Sequence, residues 1–174
     1  MSSINYDLTK IRGVAFDIDG VLSPSTIPMD SEGMPARMVN IKDGYALQLA
    51  VKKGLNICII SGGKGDAVRK RYEALGIKDI YLGVSKKIDI FNSWLSERGL
   101  FEEEVAFMGD DIPDLQVLMR AGLSCCPSDA APEVRMGCRF VSRKMGGYGC
   151  ARDLLEQILK AQSLWLSDAQ AFGW

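Results

Sequence analysis

The 174-residue chain contains no histidine. That absence removes Ser-His and Cys-His nucleophile activation, His-bearing zinc sites and phosphohistidine chemistry, and it leaves acid-base work to Asp, Glu, Lys, Tyr or Cys. An excess of one charge is also missing. With 21 Lys and Arg against 22 Asp and Glu, nothing attracts nucleic acid or an anionic membrane in bulk. No apolar run approaches the ~20 residues that span a bilayer, and the first residues, Met1-Ser-Ser-Ile-Asn-Tyr-Asp7, carry neither the basic nor the apolar region of a signal peptide. A cytoplasmic location is expected. The cysteines, at 58, 125, 126, 138 and 150, are odd in number and without CxxC spacing, which suits neither a disulfide framework nor a zinc site and predicts reduced thiols in the core.

What is present reads as one domain, residues 1–174, of ordinary soluble composition: 47% hydrophobic and 25% charged. Short apolar runs alternate with amphipathic stretches, the βα rhythm of a parallel sheet covered by helices. Strands are expected at 11–17, 55–61, 80–82 and 105–109, with further short ones at 123–126 and 139–142. Helices are expected at 45–53, 66–75, 86–98, 113–121 and 151–166, several stopped by glycine at 54, 76, 99 and 122. The fold class is therefore α/β, Rossmann-like, a central parallel sheet flanked by helices. Residues 24–42 break the rhythm, being too long for a simple strand-to-helix loop. Their Asp30-Ser-Glu-Gly33 turn signal between β-compatible stretches predicts a β-hairpin insertion, packed either on a neighbouring subunit or on its own domain.

In an open parallel sheet, ligands bind beyond the carboxyl ends of the strands, and the polar clusters of this chain fall there. The first strand ends in Asp17-Ile18-Asp19-Gly20, the second in Ser61-Gly62-Gly63 and the fourth in Gly109-Asp110-Asp111-Ile-Pro-Asp114, while Lys87 opens the helix after the third. Phosphate esters resist anionic nucleophiles, so a hard divalent cation is needed to neutralise the phosphate oxygens. Carboxylates such as Asp17 and Asp110 suit Mg²⁺; the Ser61 hydroxyl, the amide of Gly62 and the Lys87 ammonium could hold the transferring group. Asp114 either orients the loop or touches the metal. Lys42, Asp43 and Arg143 either contact substrate or form surface salt bridges. An EF-hand reading of Asp17-x-Asp19-Gly20 fails because the twelfth position is Pro28, and Ser61-Gly-Gly-Lys-Gly65 satisfies neither the Walker nor the GxGxxG pattern.

These motifs, in this order, resemble the haloacid dehalogenase (HAD) superfamily of phosphohydrolases. Within it the chain is similar over nearly its whole length to the small capless phosphatases acting on 3-deoxy-D-manno-octulosonate 8-phosphate (KDO8P), through Phe16-Asp-Ile-Asp-Gly-Val-Leu22, Ile41-Lys-Asp-Gly44, Ile60-Ser-Gly62, Gly83-Val-Ser-Lys-Lys87, Met108-Gly-Asp-Asp-Ile-Pro-Asp114, Ala131-Pro-Glu-Val134 and Gly146-Gly-Tyr-Gly149. The resemblance implies that Asp17 is the nucleophile and Asp19 the general acid, then base. It places Mg²⁺ on Asp17, the Asp19 carbonyl and Asp110, with Asp111 a more distant or water-mediated contact. It also implies hydrolysis of KDO8P to KDO and phosphate through an aspartyl-phosphate, in lipopolysaccharide-precursor synthesis, by a homotetramer without a cap domain whose hairpins form the subunit contacts. Relatives often carry Arg where this chain has Gly63; Lys64, one residue on, is the candidate replacement. The tail, residues 163–174, is read either as a cover over an active site, its own or a neighbouring subunit's, that also contributes to subunit contacts, or as a frayed end. The alternatives are a phosphatase for a nine-carbon sugar acid or another phosphosugar, and a non-catalytic phospho-accepting module.

Overall fold

The computed structural model describes residues 4–174 and is built on a six-stranded, wholly parallel sheet of order β3-β2-β1-β4-β5-β6. The strands are β1 (Gly13–Phe16), β2 (Asn56–Ser61), β3 (Asp79–Leu82), β4 (Val105–Met108), β5 (Leu123–Cys126) and β6 (Phe140–Val141). Helices α1 (Ile41–Lys52), α2 (Asp66–Glu73) and α6 (Cys150–Ala161) cover one face; α3 (Lys87–Arg98), α4 (Leu115–Arg120) and α5 (Pro132–Gly137) cover the other. Because both faces are covered, alternate residues of one strand enter different cores. Val14, Phe16, Ile57 and Ile59 pack with α1, α2 and α6, whereas Ala15, Cys58 and Ile60 pack with Phe91 and Trp94 of α3. Cys58, Cys125, Cys126 and Cys150 are buried free thiols and Cys138 is half-buried, as expected for a reduced core.

The chain runs outward from β1 to β2 and β3, then returns to the opposite side of β1 with β4. That reversal opens a crevice between β1 and β4 at their carboxyl ends, where such sheets bind ligands. In register, Phe16 lies beside both Ile59 and Met108, so the residues that follow, Asp17 and Gly109, leave the sheet together.

Some elements differ from the expected ones. Helix α1 begins four residues earlier, because Asn40 caps it, accepting from the amides of Lys42 and Asp43. Helix α6 stops at Ala161 rather than 166: Ser163 and Leu166 adopt left-handed backbone (φ 59° and 54°), which no helix can continue through. Helix α5 escaped the sequence reading, being short and opened by Pro132. The 24–42 insertion does reverse direction at Asp30, whose carboxylate accepts from the amides of Glu32 and Met34. It forms only an isolated antiparallel bridge, Met29 with Pro35, and no strand pair; Ile41 and Lys42 belong to α1. A two-stranded ribbon without a neighbour has few groups to stabilise it.

The tail lines no part of its own chain's cleft. It folds back over α1 of its own chain: Tyr45 Oη donates to the Ala171 carbonyl at 2.6 Å, Lys53 pairs with Asp168 at 2.5 Å, and Trp165 and Trp174 meet the Tyr45 ring edge-on. Arg152 of α6 lies over the Trp165 ring at 4.5 Å. These ring contacts, with Tyr45 and Trp165 half-buried, and the polar ties to Tyr45 and Lys53 hold the tail on α1.

Candidate active site

The amide of Asp17 donates to the Met108 carbonyl, so the residue still belongs to the β1–β4 ladder when its side chain leaves the sheet. Its Oδ1 accepts from the Ile18 amide at 2.7 Å. A tight turn follows, with Val21 and Ser23 amides donating to the Ile18 carbonyl and Gly20 to that of Ser23. Gly20 has φ +86°, and a side chain there would collide with the Asp110 carboxylate. The glycine is thus what allows Asp110, at the end of β4, to approach Asp17. Gly146, from the loop after β6, presses on the Gly20 carbonyl without room for a Cβ, and the neighbouring Gly147 amide donates to Val21.

After Asp110 and Asp111 the chain makes a single tight turn, Ile112–Asp114, that swings the Asp114 side chain back beneath the loop. Asp114 Oδ2 accepts from the Asp110 amide at 3.0 Å, and Oδ1 accepts from Lys87 Nζ at 2.7 Å. Lys87 also lies 2.9 Å from Asp17 Oδ2. One oxygen from each of Asp17, Asp110 and Asp114 falls within 4.8 Å of the others. Asp111, expected as a more distant or water-mediated contact, is exposed at the mouth of the cleft and outside this group. The turn at 112–114 favours Asp114 instead.

Burial, then the Asp114 charge, pushes the Asp17 carboxyl up to about 6; burial, then Asp17, pushes Asp110 up to about 8. Burial alone would lower Lys87, but Asp17 and Asp114 outweigh it and hold the ammonium above its ordinary value. Three hard carboxylates converging in a half-buried site, two of them reluctant to ionise together, fit a small divalent cation that would neutralise them.

The crevice is about 910 Å³. Its opposite wall is Ser61, Gly62 and Gly63, with Lys87 at the floor. Ser61 is buried and accepts from the Gly63 amide at 3.1 Å, which turns the loop so that Gly62 faces the cleft. The structure therefore gathers Asp17, Asp19, Ser61, Gly62, Lys87, Asp110 and Asp111 around one space.

The other candidates lie elsewhere. Lys64 is exposed beside a second, smaller pocket bordered by the insertion. Lys42 is exposed in the first turn of α1 and Arg143 in the loop after β6, and neither lines the cleft. Asp43 is buried and accepts from the Arg152 amide at 2.6 Å, capping the amino end of α6 from a distance. Its adjacency to Lys42 gave no hint of this, because the partner is 109 residues away.

Arg37 was missed. It lies within the insertion, where the sequence showed only β-compatible residues, yet its guanidinium grips the Asp19 carboxylate with both prongs, Nε to Oδ1 at 2.6 Å and Nη2 to Oδ2 at 2.8 Å.

No protein-family model matches the chain. It is 36% identical over 153 residues to the 3-deoxy-D-manno-octulosonate 8-phosphate phosphatase KdsC of Escherichia coli K12, an alignment covering 88% of this chain and 81% of the relative. The crystal structure of the phosphatase of that name from Yersinia pestis superposes with a TM-score of 0.87 at 32% identity, over 91% of this chain and 85% of the other. That from Moraxella catarrhalis, in complex with magnesium ion, phosphate ion and KDO, superposes with a TM-score of 0.89 at 30% identity, over 96% of each chain. With the fold, the carboxylate cluster and these relatives in agreement, the chain belongs to the KdsC-type phosphatases of the haloacid dehalogenase superfamily.

Proposed function

We propose that the protein is a Mg²⁺-dependent phosphomonoesterase that hydrolyses KDO8P to KDO and phosphate. The observation that carries the reading is the meeting of Asp17, Asp110 and Asp114 with Lys87 in one cleft at the sheet's reversal point, in a chain whose relative was crystallised with magnesium, phosphate and KDO. The sheet order also argues against a phospho-accepting receiver, whose strands run 2-1-3-4-5.

Asp17, Asp110 and Asp114 are the residues that would hold the cation. Bound there, it would supply charge neutralisation for the phosphoryl oxygens. In the first step an Asp17 carboxylate oxygen attacks phosphorus in line, the phosphorus–oxygen bond to the sugar breaks, and Asp19 gives its proton to the departing oxygen. In the second, Asp19 takes a proton from water as that water attacks the phosphorus of phospho-Asp17, releasing inorganic phosphate and restoring the carboxylate. Lys87 and the Ser61–Gly62 turn offer positive charge and donors to the transferring group.

The same reading extends to a cytoplasmic homotetramer. The assembly is supported by the exposed apolar side chains of the insertion, Met29, Met34, Met38 and Val39, and of Ile41 at the start of α1; light scattering of the purified protein tests it. Among the described residues no helix is long and apolar enough to cross a membrane.

Comparison of kcat/KM for KDO8P, a nine-carbon sugar acid phosphate and simple sugar phosphates tests the substrate. KDO8P is expected to lead; a clear lead for the nine-carbon acid would overturn the assignment. Asp17→Asn and Asp19→Asn should each abolish turnover in folded protein, and normal activity in either would refute the mechanism.

A further inference from the structure

Asp19 is at the mouth of the cleft, where the leaving group must depart, and both of its oxygens are held by Arg37. One of them has to be free to reach the ester oxygen, so productive binding must open the pair. The released guanidinium then needs another anion. Its side chain is only 8% exposed, and its third contact, Nη1 to the Lys64 carbonyl at 3.0 Å, is to a neutral group, so leaving it without a counter-charge would be costly.

Arg37 borders the neighbouring pocket and reaches the cleft through Asp19; the cations that line the cleft itself are already engaged. Lys87 serves Asp17 and Asp114 on the floor, and Lys86 pairs with Asp89 at 3.3 Å on the outer surface. Five aspartates line the space, Asp17, Asp19, Asp110, Asp111 and Asp114. A substrate with a second negative charge on its leaving group would meet repulsion at the mouth unless a cation stood there.

Gly63 supplies the complementary observation. A Cβ at that position would collide with Arg37 Nη2, lie 3.0 Å from Arg37 Cζ and 3.0 Å from Asp19 Oδ2. Its φ is not one that demands glycine, as no positive value occurs there. A Cβ at Gly63 would instead have to displace the tip of the Arg37 side chain from the room it occupies.

We infer that Arg37, carried by the insertion and accommodated by Gly63, is a specificity-determining residue that exchanges Asp19 for the carboxylate of the departing sugar acid. This deepens the phosphatase reading and rests on it. The planar, two-pronged guanidinium matches a carboxylate as well as it matches Asp19. Before binding, Arg37 keeps Asp19 oriented; after binding, it selects phosphate esters whose alcohol is itself an acid.

The test is the ratio of kcat/KM for KDO8P to that for p-nitrophenyl phosphate, whose leaving group carries no carboxylate. A two-pronged charge-assisted contact predicts that Arg37→Met lowers the ratio about 30-fold, mainly through KM for KDO8P. Arg37→Lys, which keeps the charge but not the fork, should recover part of it. Gly63→Ala, which crowds the guanidinium without removing it, should lower the ratio in the same direction. A ratio unchanged within threefold in Arg37→Met, whether both activities fall together or neither does, would overturn the assignment. Failure of the parent reading is seen separately, in a wild-type protein that shows no preference for KDO8P over p-nitrophenyl phosphate; the ratio is then taken with 6-phosphogluconate in place of KDO8P, and Arg37 stands or falls on that comparison.

Discussion

Lys87 and Asp114, 27 positions apart in sequence, meet at 2.7 Å beneath the cleft, and the same ammonium lies 2.9 Å from Asp17. The lysine that opens α3 is therefore tied to the ends of β1 and β4, and among the described residues it is the cation paired with both aspartates.

Removing it should affect both stability and turnover. Lys87→Met leaves Asp114 buried without its counter-charge, and breaking a buried pair in this way costs about 3–5 kcal/mol. Thermal unfolding should show a large fall in Tm, and kcat with p-nitrophenyl phosphate should fall by at least ~100-fold. A variant with wild-type Tm would show that the pair contributes nothing to the fold.

The carboxylate cluster predicts how Mg²⁺ binding depends on pH. Asp110 and Asp17 are raised to about 8 and about 6, each first by burial and then by a neighbouring aspartate. A cation binds the ionised forms, so affinity should rise with pH and level off above about 8. The folded, metal-free protein holds these protons more tightly than the unfolded chain does. Its stability should therefore fall as pH rises from about 4 to about 8, and Mg²⁺ should raise Tm far more at pH 8 than at pH 5. Equal Mg²⁺-induced shifts at the two pH values would contradict this arrangement.

Asp43 gives a second pH signature, away from the cleft. Burial pushes its carboxyl up to about 6 even though the Arg152 and Gly149 amides at the start of α6 favour the charge. Because the folded value lies above the unfolded one, the stability present below about pH 4 is lost as pH rises through about 6, a difference of at most roughly 3 kcal/mol. Asp43→Asn keeps an acceptor for the Arg152 amide and removes the titration. The variant should gain stability relative to wild type at pH 7.5 but not at pH 4, as measured by denaturant unfolding at each pH; a constant difference would refute the assignment.

Gly146 should be intolerant of a single methyl group, since a Cβ would collide with the Gly20 carbonyl and displace the turn that presents Asp19. Gly146→Ala is expected to lose about tenfold or more in kcat, as small misplacements of reacting groups do. Gly137→Ala is the control, because a Cβ there meets nothing within 4 Å. Equal activity in the two variants would show that the turn is not supported from this side.

The strands, every helix but α5 and the residue types at the strand ends were legible in the sequence, because each rests on local pattern. Buried parallel strands read as apolar runs such as Ile57 to Ile60; Ser61 ends β2, Asp17 and Asp110 lie just past β1 and β4, and Lys87 opens the helix after β3. Even the lack of histidine acted at this level, by leaving carboxylates as the available catalysts.

The tertiary structure alone decided which side chains turn toward one another. Asp114 rather than Asp111 joins the cluster because one short turn reverses its direction, Asp43 turns to an amide 109 residues away, and the tail settles on Tyr45 rather than over the cleft. Arg37 has no local signature whatever; its role exists only where the insertion, the Asp19 turn and the space above Gly63 come together. Sequence pattern determines where the backbone forms strands and helices, whereas the direction of a polar side chain is set by whichever distant charge or amide the packed chain brings within hydrogen-bonding reach.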